Sequence, residues 1–166
     1  MTKANHYRVI YVYADWIGLD GPILMGTLSS ELLRGKEIFS FEYDSSWLKS
    51  KHAQLLDPDL QLYGGKQFLN ESTKTNFGLF LDSSPDRWGR VLMRRREAVL
   101  ARLEDRKERN LFETDYLLGV FDTHRMGALR FKSNVEDSFL SDNRELASPP
   151  WTSIRKLEQI SLRLEN

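Results

Sequence analysis

The residues of this chain that could do chemistry lie in two short strings and one basic run. His124-Arg125-Met126-Gly127-Ala128-Leu129-Arg130 sets a glycine among cations and small residues. A glycine lets backbone N–H groups approach an anion, so Arg125, Met126, Gly127 and Ala128 form a candidate phosphate-cradling turn. The string has neither the G-x-G-x-x-G of dinucleotide folds nor the G-x-x-x-x-G-K of P-loop proteins. On its own, an ordinary turn into a strand is the plainer reading. The second string, Asp82-Ser83-Ser84-Pro85-Asp86-Arg87-Trp88-Gly89-Arg90, supplies a capped helix start, clustered charges and a tryptophan. Helix capping with structural ion pairs accounts for it. A docking surface of Asp82, Ser83, Asp86, Arg87, Trp88 and Arg90 is the alternative, because tryptophan and arginine are favoured at interface hot spots. The basic run is Arg94-Arg95-Arg96, continued by Arg102, Arg106, Lys107 and Arg109. Consecutive helical residues point about 100° apart, so these side chains form no single row for phosphates. Glu97, Glu104, Asp105 and Glu108 interleave with them at ion-pairing spacings. The run reads as a solvated, salt-bridged helix face, with a DNA-associated regulator as the competing reading.

Other chemistries find little support. His6, His52 and His124 are scattered without metal-ligand spacing. No serine sits in G-x-S-x-G, and Asp57 and Asp59 bracket a proline turn. The chain has no cysteine, which removes disulfides, thiolate metal sites and cysteine nucleophiles, and favours a reducing compartment. Lys plus Arg and Asp plus Glu number 24 each. That balance argues against wrapping nucleic acid or coating an anionic membrane. The N-terminal residues lack the apolar stretch of a signal peptide, and no run reaches the roughly 20 apolar residues of a membrane span. A cytoplasmic protein is expected.

The length of 166 residues suits one domain, or one domain with an appendage, and 40% hydrophobic residues can fill a core. Around the candidate residues, Tyr7–Tyr13 is rich in β-branched and aromatic residues and predicts a strand. Asp20-Gly21-Pro22 marks a turn before a returning strand at 23–28, and a third strand follows Gly35 at 37–43. Its alternation sets Phe39, Phe41 and Tyr43 on one face, expected to be buried, and Ile38 and Ser40 on the other. Ser45–Lys49 reads as one helical turn, and Leu60–Tyr63 as a short strand. Ser84 before Pro85 predicts an N-cap and a helix running to about Asp105. Trp88, Val91, Leu92, Val99 and Leu103 form its apolar stripe, and arginines occupy the rest. A further helix starts near Leu111 or Thr114 and ends at Gly119. Residues 125–131 predict a glycine turn entering a strand, 133–148 a mobile acidic loop, and 152–164 a last helix without a stop signal. That helix looks like the first element of a further domain. The fold class is therefore α+β: a small antiparallel meander followed by helices, a glycine-turn β segment and a C-terminal helix.

Taken in order, these strings resemble the N-terminal part of the HipA family, serine/threonine kinase toxins of bacterial type II toxin–antitoxin systems. Phe39-Ser40-Phe41-Glu42-Tyr43-Asp44-Ser45-Ser46-Trp47-Leu48 is similar to the family's opening strands and its F-x-Y-x-x-x-W-L signature. Leu81 through Arg90 is similar to its L-x-D-S-x-P-D-x-W-G-R stretch. Asp115-Tyr116-Leu117-Leu118-Gly119-Val120 and Arg125-Met126-Gly127-Ala128-Leu129-Arg130 are similar to its D-Y-L-L-G and R-x-G-A-L-R segments. The likeness implies a HipA-like α+β subdomain over 1–120, then a glycine-loop strand, acidic loop and kinase-core helix over 121–166. It implies that Arg125–Leu129 matches the loop closing over nucleotide phosphates. Arg125 stands where some members carry an autophosphorylated serine, and an arginine there could contact phosphate instead. A nucleotide-positioning lysine, catalytic aspartate and Mg²⁺ ligands belong to the family's larger C-terminal portion, and residues 128–166 hold no catalytic-loop or D-F-G-like string. The implied role is a non-catalytic module that docks through its meander and arginine-rich helix on a HipA-like kinase core. That core is either in cis or a separate chain, and in the second case the module acts as an antitoxin-like partner. ATP and Mg²⁺ enter only with the core, and a HipB-like DNA-binding antitoxin is a further implied partner.

Overall fold

Alternating β-branched and aromatic residues build the expected meander. The computed structural model describes residues 7–69, 74–122, 125 and 127–139. Strands β1 (Tyr7–Ala14), β2 (Ile23–Leu33) and β3 (Lys36–Tyr43) pair antiparallel in succession. The β2–β3 turn is Arg34 and Gly35 alone, at φ 50° and 82°. Two residues with positive φ match the twist of the strands they join. Strand β2 outruns its expected end at Leu28 because its polar half finds partners. Tyr7 Oη donates to Ser29 Oγ at 3.1 Å, and Ser30 Oγ donates to Glu37 Oε1 at 2.8 Å. Strand β4 (Gln67–Phe68) joins β3 and strand β5 (Leu129–Lys132) joins β1. The sheet order is β4-β3-β2-β1-β5, so the fold is α+β with a five-stranded antiparallel sheet.

One face of the sheet carries the core. Ile10, Val12, Leu28, Phe39, Phe41, Tyr43, Leu129 and Phe131 are buried, as the aromatic side of β3 predicts, while Ile38 on the other side is exposed. Three short helices cover that face: α1 (Ser45–Lys49) with Trp47, α2 (Gly78–Asp82) with Phe80, and α4 (Glu113–Leu118) with Leu117. Ring contacts Phe41–Phe80 (5.4 Å) and Phe80–Phe131 (6.3 Å) tie β3, α2 and β5 into one cluster. The longest helix among the described residues, α3 (Arg87–Leu103), precedes α4 in the chain. Among the described residues no helix is long and apolar enough to cross a membrane.

Several expectations are corrected. Leu60–Tyr63 is not a strand. The Gln67 side chain takes both backbone groups of Gln61, accepting from its N–H and donating to its C=O at 2.8 Å each, which leaves nothing for a ladder. The N-cap of α3 is Asp86, accepting from Gly89 N–H at 2.7 Å, whereas Ser84 Oγ donates back to Phe80 O in α2. Helix α3 stops at Leu103 because Asp105 turns left-handed (φ 47°) and Arg106 N–H bonds to Ala101 O, a Schellman ending. Three of the five positions of its apolar stripe face solvent, Trp88 at 63%, Val99 at 53% and Leu103 at 78% exposed, Val91 and Leu92 are half-buried, and the fully buried positions are Glu97 and Ala101. Glu97, the one acid within α3, pairs at longer separations than the i,i+4 spacing suggests. The Glu97 carboxylate receives Arg106 at 2.5 and 3.2 Å and the Arg109 N–H at 3.2 Å, both from beyond the helix. Helix α4 ends at Gly119 as expected. The predicted helix over 152–164 and the loop beyond Phe139 lie outside the described residues.

The hydrogen bond from Arg106, helped by the Arg109 N–H and both positive charges, pulls the Glu97 carboxyl down to about 2 despite the opposing cost of desolvation. Its folded pKa lies below the ordinary 4.5, so the stabilisation is complete above about pH 4.5 and fades as pH falls toward 2. Glu97→Gln is expected to unfold at lower urea than wild type near pH 6, with the gap closing between pH 4.5 and 2. A gap constant across that range removes the ion pair as its cause. A second expectation concerns Gly26 in β2, where an added Cβ would collide with the Glu42 carbonyl oxygen and come within 2.6 Å of Phe41 Cζ. Gly26→Ala should cost about 3 kcal/mol in urea unfolding, the scale of overpacking a tight core.

Candidate docking site

The two strings singled out in the sequence meet at one cleft. It has a volume of about 530 Å³ and is lined by Trp16, Gln54, Leu56, Leu79, Asp82, Ser83, Gly127, Ala128 and Leu129. Each wall has a local reason for its place. Helix α2 is too short to stand by its own propensity. The buried Asp57 carboxylate holds its first turn, accepting Leu79 N–H at 2.7 Å through one oxygen and Asp59 N–H at 2.8 Å through the other. The turn that looked merely structural thus anchors Leu79 and Asp82. Trp16, just after β1, packs edge-on against the buried Trp47 with centroids 5.8 Å apart. Gly127 adopts φ +100°, the left-handed region that favours glycine. The next carbonyl, of Ala128, accepts Asp15 N–H at 2.8 Å and fixes the turn to the end of β1.

Arg125 lies behind this wall. Its Nη1 donates to Ser83 O at 2.8 Å and Leu117 O at 2.9 Å, and its Nη2 donates to Val120 O at 3.1 Å. The guanidinium stacks over the Phe131 ring, 4.5 Å from its centroid. Burial pushes it down, to about 10, against the pull of nearby Asp122. Asp122 itself accepts Arg130 Nε at 2.9 Å, and Arg130 reaches Asp15 at 3.1 Å. The arginine read as a possible phosphate contact is therefore spent internally, on three carbonyls.

The remaining members of the second string divide. Ser83 is buried, donating to Leu79 O at 3.0 Å, and Asp82 is exposed. Arg90 turns inward into a two-pronged bond with Glu113 at 2.6 and 2.8 Å, with its charge 4.7 Å above the Tyr116 ring. Asp86 caps α3, and Arg87 and Trp88 project into solvent away from the cleft lining. The structure thus brings together Asp82, Ser83, Gly127 and Ala128, backs them with Arg125, and leaves Arg87 and Trp88 on α3. Met126 lies outside the described residues. Trp16, Gln54 and Leu56 had no motif to announce them, whereas Leu79 belongs to the Phe77–Phe80 segment that leads into the second string. Of the first three, only the tryptophan, following a strand directly, carried any signal.

The lining decides what the cleft can take. Its described residues hold one carboxylate, Asp82, and no cation, among mostly apolar side chains. A phosphate there would meet like charge, whereas an apolar side chain with a cationic end would meet both wall and carboxylate. No cluster of three or more metal-ligating side chains occurs among the described residues. Comparison with family models, with curated proteins and with solved structures finds no match.

Arg125→Met retains bulk but leaves the carbonyls of Ser83, Leu117 and Val120 without their donor, and is expected to cost about 3 kcal/mol in urea unfolding. Arg125→Lys should recover little of it, since one ammonium lacks the planar fork that reaches three acceptors. Full recovery by lysine would show that charge alone matters there.

Proposed function

We propose that this chain is a non-catalytic docking module of the HipA-like type, which binds a serine/threonine kinase core and regulates it. The observation that carries the reading is the position of Arg125. Three strings that resemble the family, at 81–90, 115–120 and 125–130, are separate in the chain, and this one guanidinium bonds to the backbone of the first two and to Val120 at the end of the second. The likeness in sequence thus coincides with one packed unit. In this reading ATP and Mg²⁺ belong to the kinase core in the cytoplasm, and the module supplies a shaped surface. Asp82 and the apolar walls of the cleft receive a partner side chain, cationic at its tip and apolar along its stem. The core is joined in cis or encoded separately, and in the second case the module acts as an antitoxin-like inhibitor.

The test uses the purified chain and a separately purified HipA-like kinase core. Co-purification and a fall in kinase autophosphorylation on adding the chain are expected. Asp82→Lys should weaken binding about tenfold, or about 1.4 kcal/mol. Absence of binding defeats the proposal. So does transfer of the γ-phosphate of ATP to protein by the chain alone.

A further inference from the structure

Helix α3 is amphipathic the wrong way round for a helix that packs on a core, and its outer face is the largest feature that the cleft leaves unexplained. At about 100° per residue, Trp88, Leu92, Arg95, Val99, Arg102 and Leu103 fall within one stripe about 100° wide. Opposite it lie the inward-facing Glu97 and Ala101, with Arg90 bound to Glu113. The stripe runs about 22 Å along the helix. Trp88, Val99 and Leu103 are each more than half exposed. Arg87, Arg94, Arg95 and Arg102 are exposed too. Glu97 is the one acid within α3, and it faces inward to Arg106 and Arg109. Among the described residues none of these four arginines makes an ion pair.

We infer that this outer face of α3 is a docking surface for an apolar seam edged with carboxylates on the partner protein. The inference rests on the kinase-docking reading and names the surface chemistry of that partner. Charge complementarity sets the sign: the stripe carries two cations unpaired among the described residues, Arg95 and Arg102, and no carboxylate, with Arg87 and Arg94 exposed on its flank, so it seeks an acidic counterpart. The apolar residues set the class. Contact with a phosphate backbone gains little from Leu92, Val99 and Leu103, whereas a protein seam buries them and uses Trp88 as an anchor. A bilayer is disfavoured by the balance of charge, 24 acidic residues against 24 basic, while Arg95 and Arg102 border the apolar residues along one edge of the stripe. One helix face of about 22 by 10 Å falls well short of the roughly 800 Å² per partner in a standard interface. Helix α3 is therefore one part of a larger contact.

Binding of the full chain to the kinase core, measured by biolayer interferometry at low and moderate salt, tests this. Two double variants, Val99→Glu with Leu103→Glu and Arg95→Glu with Arg102→Glu, should each weaken binding at least tenfold. Added salt should weaken the wild type more than the arginine double variant. Urea midpoints close to wild type show that these exposed positions leave the fold intact, and Val99→Ser with Leu103→Ser replaces the first pair if they do not. Wild-type affinity in both double variants, with binding still lost in Asp82→Lys, overturns the α3 surface and leaves the docking reading standing. No binding by wild type overturns both. Duplex DNA, phosphatidylserine vesicles or a second copy of the chain binding through this face, with loss in the same variants, reassigns the face and overturns the inference.

Discussion

A cation enclosed by carbonyl oxygens holds the cleft together. The last carbonyls of a helix have no partner inside it and carry the negative end of its dipole. Helices α2 and α4 are five and six residues long, below the length at which a helix persists alone. Their C-terminal ends converge on Arg125, which bonds to Ser83 at the end of α2, Leu117 in the last turn of α4 and Val120 just beyond. Taking an ion out of water costs several kcal/mol unless its hydrogen bonds are met. Three of them are met here, Phe131 covers the flat face, and Asp122 lies close by. The buried Nε finds no partner among the described residues. The position therefore tolerates few substitutes, and the Gly127 turn is bound to the helices it faces.

A second constraint orients α3. Glu97 collects Arg106 and the Arg109 N–H, so the chain after the Schellman turn folds back against the inner side of the helix. The helix is then held by ions, by Met93 lying against Gly119 and by the buried Ala101, rather than by Trp88, Val99 and Leu103. Electrostatic anchoring on one side releases the hydrophobic side to solvent. Such an arrangement costs stability unless something is gained by the exposure.

Local chemistry made much of the fold legible. The alternation in β1 and β3, the turn at Gly35, the end of α4 at Gly119 and the left-handed Gly127 are each decided by residues within a few positions of one another. What stayed hidden depends on distant partners. Helix α2 is too short for a periodic signal and owes its first turn to Asp57, over twenty residues earlier. Gln67 imitates a neighbouring strand with its side chain, which no propensity scale records. An arginine beside a glycine reads alike whether it grips a phosphate or a set of helix ends, and only the packing of Phe131 and Asp122 decides. The stripe on α3 was visible, but which way it pointed turned on Glu97 and residues beyond the helix.

The outermost strands bear on how the protein behaves in a crowd. An unpaired strand offers a row of open N–H and C=O groups on which another chain can nucleate cross-β growth. Among the described residues, β4 at one margin spans only Gln67 and Phe68, too little backbone to seed a stack. At the other, β5 is four residues long, with Arg130 held to Asp122 and Lys132 set over the rings of Tyr13 and Phe139. Among the described residues brevity guards one side and charge the other, so fibril formation has poor footing at these two margins.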